Sequence, residues 1–274
     1  MIGCDCMCLQ EAHSEFREKP FKCKHGSGHI LIYGCGGTAH RASPVTIIHS
    51  RWAAEVISFE GCRGALLVLV KMYGELILIC NLHAPHSWPD RKNQGEAATH
   101  SICFAETGGS ATLAKLQGWA CEVEGMMKKM IKKAGQRVTT IMSIDANTVM
   151  TKFENMVGNF TSGKVGFDRS MTIANLLHAF KLRCVNTYES DNVYFDDDDS
   201  YFKASPLTHF PYNGTAPRQI DFVVAPCNVA SQWQVLETLA GFKGKTSSDH
   251  EPLALTVIVD CAGSRERHWK LRNG

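Results

Sequence analysis

The strongest constraint on this chain is a pair of apolar runs joined by two residues. Residues 65–72 and 75–82 are nearly continuous in Ala, Leu, Val, Ile, Met and Cys, with Tyr73-Gly74 between them. Two short apolar runs around a two-residue turn containing glycine read as a β-hairpin. A strand that is apolar at nearly every position, rather than every second one, needs cover on both faces. The hairpin therefore belongs in the middle of a layered structure, with other elements above and below it. A hydrophobic fraction of 44% against a charged fraction of 20% supplies the material for that cover.

The same reasoning places further strands at residues 6–9, 29–33, 45–49, 54–59, 138–144, 183–187, 219–225 and 253–259. Helices are expected at 120–134 and 170–180. In the first of these, Val123, Met126, Met127, Met130 and Ile131 fall on one side, and Lys128, Lys129, Lys132 and Lys133 on the other. The lysine side reads as a solvated face, with a nucleic-acid contact as the alternative. Residues 86–111 are polar and small, with Pro89, Gly95, Gly108 and Gly109. They read as an insertion far longer than a usual loop of about 4–6 residues. Asp196 to Asp199 reads as a solvated acidic loop. No internal repeat is evident, and residues 1–274 are expected to form one domain with its core at about 5–260 and a tail at 261–274.

The net charge of +2 is too small to mark a polyanion partner by itself, so a bound cation would have to supply local positive charge. No apolar run approaches the roughly 18 residues of a membrane span. Asp5 and Glu11 interrupt the first apolar stretch, so it does not read as a signal peptide. An intracellular protein, nuclear or cytoplasmic, is the resulting expectation. The twelve cysteines include no Cys-x-x-Cys, and reduced thiols are expected. Cys4, Cys6 and Cys8 alternate, as residues on one face of a strand do. Cys23 and His25 are too few for a closed metal site.

Four motifs stand in one order: Leu9-Gln10-Glu11, Asn81-Leu82-His83-Ala84-Pro85, Asp145-Ala146-Asn147, and Gln219-Ile220-Asp221 followed by Ser247-Ser248-Asp249-His250. Each ends or follows an apolar run. Together they carry the carboxylates, amide and imidazoles that phosphodiester hydrolysis with a divalent cation requires: water activation, charge neutralisation and help for the leaving oxygen. The set resembles the exonuclease–endonuclease–phosphatase superfamily, whose members are built like DNase I. Its look is nearest to retrotransposon and AP-endonuclease-like endonucleases.

That resemblance implies a four-layer α/β sandwich, with two packed, mostly antiparallel sheets flanked by helices. It also implies roles. Glu11 and Asp249 would hold Mg²⁺ or Mn²⁺. Asp145 would orient or deprotonate the attacking water. Asn147, pointing the same way along an extended segment, would donate to a phosphoryl oxygen. His250 would contact the scissile phosphate, held by Asp221. His83 would serve the leaving side, and Thr208 would contact substrate. His13, His86 and His209 have no motif and are expected on the surface. The family's opening strand, which carries an asparagine ahead of the Gln-Glu strand, is expected to lack a counterpart within residues 1–10, because no asparagine precedes Asn81. Ile144 stands where the family usually has glycine, and Arg218 lies one residue early for its Arg-Ile-Asp.

Three functional readings stay open. The first is a magnesium-dependent endonuclease acting on nucleic acid, DNA foremost, with no obligate protein partner and no membrane. The second is a phosphatase or phosphodiesterase on inositol phosphate, lipid or RNA. The third is a decayed remnant that only binds a nucleic acid or a protein.

Overall fold

A computed structural model describes residues 4–13, 18–35, 42–85, 113–159, 161–162, 167–188, 194–195, 201–202, 207–210, 216–235, 250 and 253–257. The apolar hairpin forms as expected, its second strand one residue longer, to His83. Strand β6 (Ala65–Met72) turns at Tyr73-Gly74, both with positive φ, and returns as β7 (Glu75–His83). Positive φ at both turn residues matches the right-handed twist of the strands.

The hairpin lies inside a six-stranded sheet ordered β5 (Val56–Cys62), β6, β7, β8 (Val138–Asp145), β12 (Asp221–Pro226) and β9 (Leu182–Cys184). Only β7 and β8 pair in parallel. A parallel pair needs a crossover, and helix α1 (Leu113–Ala134) lies on it. Helix α2 (Phe167–Ala179) packs beside α1 on the same face.

A second sheet, ordered β1 (Cys6–His13), β4 (Ala42–Ile48), β3 (Ile30–Tyr33) and β2 (Phe21–Lys24), is antiparallel throughout. It covers β6 and β7. The pair β13 (Ser231–Val235) and β14 (Leu253–Val257) covers β12. A two-residue pair, β10 (Tyr194–Phe195) and β11 (Tyr201–Phe202), completes the described strands. The result is two mostly antiparallel sheets face to face with helices outside, as the motifs implied. Among the described residues both α-helices lie on the six-stranded sheet. No described helix is long and apolar enough to cross a membrane.

The continuous apolar strands serve two cores at once. On the helix side, Leu67, Leu69, Leu78, Cys80, Leu82, Met142, Ile144, Phe222 and Val224 meet Leu116, Trp119, Val123, Met127 and Met130 of α1. On the other side, Leu66, Val68, Val70, Ile77 and Ile79 meet Ile30, Ile32 and Ile48. Each such side chain contributes about 1.5–3 kcal/mol relative to exposure. Cys6 and Cys8 pack on the second core from one face of β1, as their alternation required.

Three local expectations are corrected. Residues 54–55 are not strand: Ser50–Glu55 is a 3-10 turn, started by His49, whose Nδ1 accepts from Arg51 N at 3.2 Å. Helix α1 starts at Leu113, seven residues earlier than expected, because Leu116 and Trp119 continue its buried stripe. Residues 185–187 leave the strand for a 3-10 turn. There Thr187 Oγ1 donates to Cys184 O at 2.7 Å, and such side-chain bonds compete with a ladder. The expected loop at 86–111, the acidic run Asp196 to Asp199 and the tail at 261–274 lie outside the described residues. The lysine face of α1 is exposed, with Lys128 on Glu124 at 2.5 Å and Lys129 on Glu60 at 3.0 Å.

Candidate active site

Strand register builds the site. In the parallel pair His83 lies opposite Asp145, and across the next pair Asp145 lies opposite Asp221. Residues directly opposite share a face of the pleat. Their parity with Ile79, Ile141 and Val223 turns all three toward the space between the sheets. Three ionisable side chains thus stand in a row at the ends of three neighbouring strands.

Asp145 is the middle of that row and is 3% exposed. Its Oδ1 accepts from Asn147 N at 2.9 Å, and its Oδ2 lies 3.5 Å from His83 Nε2. Asn147 has φ of 50°, in the left-handed region that asparagine tolerates better than most residues. The extended conformation expected there is therefore corrected. The turn sends Asn147 Nδ2 back to Ala84 O at 2.8 Å, and Ala84 N donates to Asp145 O at 2.8 Å. Asn147 thus ties the exits of β7 and β8 together. His83 itself is 1% exposed and stands behind Asp145.

His250 Nδ1 lies 2.9 Å from Asp221 Oδ2 and 3.0 Å from Oδ1. Burial pushes the Asp221 carboxyl above its ordinary range, and Asp145 adds to this, while His250 and Thr208 pull it back. Thr208 is buried, and its Oγ1 accepts from Ile220 N and Asp221 N, each at 3.1 Å. The hydroxyl expected to meet substrate is instead bonded to the backbone that carries Asp221. Asn186, also buried, donates from Nδ2 to Asp221 O at 2.9 Å and accepts from Val223 N at 3.1 Å. Gln219 Nε2 donates to Asn186 O at 2.8 Å.

Two amides, Asn81 buried and Gln10 half-buried, fasten the sheets beside the site. Asn81 Nδ2 reaches Leu9 O at 3.1 Å and Val45 O at 3.0 Å, while Gln10 Nε2 donates to Ser143 Oγ at 2.6 Å. The β1–β4 register slips by one residue between Leu9 and Ala12. Glu11 sits in that bulge, a device that re-aims side chains next to active sites. Glu11 is described in its backbone alone, and Asp249 lies outside the described residues, as do His86 and the side chain of His13.

Asp145, Asp221 and His250 each offer a ligand atom within 4.8 Å of the others. Two neighbouring carboxylates, beside an imidazole, suit a hard divalent cation, which takes oxygen donors and relieves their repulsion. These three residues could hold a cation among the described residues; Glu11 and Asp249, to which the motifs assign the metal, lie outside the described side chains.

Sequence reasoning missed His209. It was expected on the surface, yet its ring lies 4.7 Å from that of His250, and its backbone pairs with Arg218. No motif signals it, because a one-residue bridge brings it there. Gln10 stands in its motif and Asn186 beside Thr187 and Tyr188, but the sequence assigns neither a role, because their partners, Ser143 and Asp221, are distant in sequence.

No protein-family model and no curated protein matches the chain. Solved structures do. The 3′ phosphatase NExo from Neisseria, bound to product DNA hairpin, superposes with TM-score 0.51 at 12% identity, over 93% of this chain and 89% of that one. An endonuclease/exonuclease/phosphatase family protein from Bacteroides thetaiotaomicron gives 0.50 at 14% identity, over 88% and 77%. The endonuclease domain of TRAS1, a telomere-specific non-LTR retrotransposon, gives 0.49 at 12% identity, over 85% and 81%. The chain therefore has the DNase I-like sandwich fold of endonuclease/exonuclease/phosphatase family proteins.

Proposed function

We propose that this chain is a divalent-metal-dependent phosphodiester hydrolase that cuts DNA internally. The observation that carries the reading is the Asp221–His250 pair at 2.9 Å with Asp145 in the same cluster, at the ends of adjoining strands. With Asp221 ionised, a carboxylate can only accept, so His250 Nδ1 carries the proton and Nε2 is the nitrogen through which the ring acts on a phosphoryl oxygen. Asp145, with Oδ1 fixed by Asn147 and Oδ2 backed by His83, takes the proton of the attacking water. Glu11 and Asp249, by their motif positions, would hold the cation beside Asp145. When bound, it neutralises phosphoryl charge and makes water more acidic. The DNA hairpin in the Neisseria structure supports DNA as the substrate class.

The test is nicking of supercoiled plasmid with Mg²⁺, with EDTA, and by Asp145→Ala and His250→Ala. Magnesium-dependent nicking that falls by about 10²–10⁴-fold in each variant is expected. Nicking untouched by both substitutions would remove the site. Release of a terminal phosphate without nicking would establish a phosphatase. Folded protein that does neither would favour a non-catalytic binding role.

A further inference from the structure

His209 meets His250 twice. The two residues form an antiparallel bridge, and their rings lie 4.7 Å apart, tilted by 57°. That separation is a packing contact between rings. Arg218 holds His209 in turn. The His209 N–H donates to Arg218 O at 3.0 Å, its carbonyl accepts from Arg218 N at 3.1 Å, and Arg218 Nε lies 3.5 Å from its Nδ1. Its neighbour Thr208 accepts from the backbone of Asp221. Two consecutive residues therefore serve both members of the Asp221–His250 pair: Thr208 seats the carboxylate, and His209 the imidazole.

The imidazole needs more than one hold. His250 Nδ1 is nearly equidistant from the two oxygens of Asp221, at 2.9 and 3.0 Å. A hydrogen bond at one atom fixes that atom and leaves the ring to tilt about it. The His250 side chain is 26% exposed, so packing does not enclose it. Nε2, the nitrogen that acts on the phosphoryl oxygen, lies across the ring from Nδ1, and a tilt is felt there. A misplacement of about 1 Å can cost about 10²-fold in rate. A second ring packed against the first opposes that tilt.

We infer that His209 is the positioning residue of His250: its ring restrains the plane of the His250 imidazole and so aims Nε2 at the phosphate that is cut. This rests on the hydrolase reading above. The requirement at position 209 is a flat ring, not a charge. The bridge to His250 is made by backbone atoms, so a change of side chain isolates the part played by the ring.

The test compares wild type, His209→Ala and His209→Phe on a duplex oligonucleotide with Mg²⁺. His209→Ala is expected to lower kcat about tenfold with KM within about twofold, because aim counts in the transition state rather than in binding. His209→Phe returns most of that loss, since it supplies a ring without an ionisable nitrogen. NMR gives a readout that needs no turnover. The order parameter of the His250 Cε1–H bond, measured in EDTA and assigned by its absence in His250→Gln, should fall in His209→Ala and recover in His209→Phe. Unchanged kcat in His209→Ala, or a raised KM alone, would overturn the inference. So would a Phe variant as slow as Ala, or one order parameter shared by all three proteins. If His209→Ala does not fold, His209→Thr takes its place, a ringless side chain suited to a bridged strand, and the same outcomes decide. Wild type that cleaves nothing sinks the hydrolase reading alone, because the order parameter still judges His209.

Discussion

Thr208→Val separates two roles for one hydroxyl. The substitution keeps shape and volume, so it opens no cavity. It removes the oxygen that accepts from Ile220 N and Asp221 N, each at 3.1 Å. Ile220 is buried, so its N–H is stranded away from water; Asp221 is half-buried and recovers part of its loss. A buried donor left unsatisfied costs about 1–3 kcal/mol, and a net hydrogen bond about 0.5–1.5. Together these give about 1.5–4.5 kcal/mol of lost stability. Urea unfolding followed by tryptophan fluorescence reads it as a lower midpoint at unchanged slope. Each kcal/mol moves Tm by roughly 2–4 °C in a domain of this general size. The hydroxyl also holds down the pKa of the Asp221 carboxyl, so its loss lets that value rise further and moves the acidic limb of the pH–activity profile upward. Thr208→Ser should restore both properties. A Val variant within about 0.5 kcal/mol of wild type, with only KM raised, would refute the positioning role and return Thr208 to the substrate.

Two other outcomes follow from the same geometry. Asn81→Leu removes the donor that reaches Leu9 O and Val45 O, two hydrogen bonds of about 0.5–1.5 kcal/mol each, for a loss of about 1–3 kcal/mol; a denaturant midpoint equal to that of wild type would show that the sheets do not depend on this tie. Asp221 is raised by burial first and by Asp145 next, so above about pH 3.9 the folded state holds more protons than the unfolded one, and stability falls as pH rises through the raised value. Asp221→Asn abolishes that fall: the Tm change from pH 4 to pH 7, measured in EDTA, should be less negative than in wild type, and identical changes in the two proteins would contradict the raised carboxyl.

Some of this molecule is legible residue by residue. The hairpin at Tyr73-Gly74 follows from local pattern, since continuous apolar runs and a tight turn leave few alternatives. Strand β8 and its terminal Asp145 are equally plain, and the motif residues Asp221 and His250 do meet at 2.9 Å. Strands β2 and β13 escaped notice. In β2, Lys22, Cys23 and Lys24 are exposed, so the period-2 signal of burial is absent from the edge of its sheet. The strand reading failed at residues 185–187 because Asn186 and Thr187 bond with their side chains to Asp221, Val223 and Cys184. Helix α1 was cut short although Leu116 and Trp119 already continue its buried stripe; Gly118, a poor helix former, stands between them.

The sequence by itself determined the chemistry-bearing residue types, their order, and strands that need cover on both faces, because those are properties of composition and short-range periodicity. Only the tertiary structure decided the row His83–Asp145–Asp221, which depends on register between strands far apart in the chain. A slip of one residue would turn Asp145 to the helix side and disperse the cluster. The same holds for the left-handed turn at Asn147, for Thr208 under Asp221, and for His209 against His250. Each is set by what lies across a sheet or a loop rather than by what stands beside it in sequence. Hydrogen-bond partners and burial belong to the folded chain, and no local pattern encodes them.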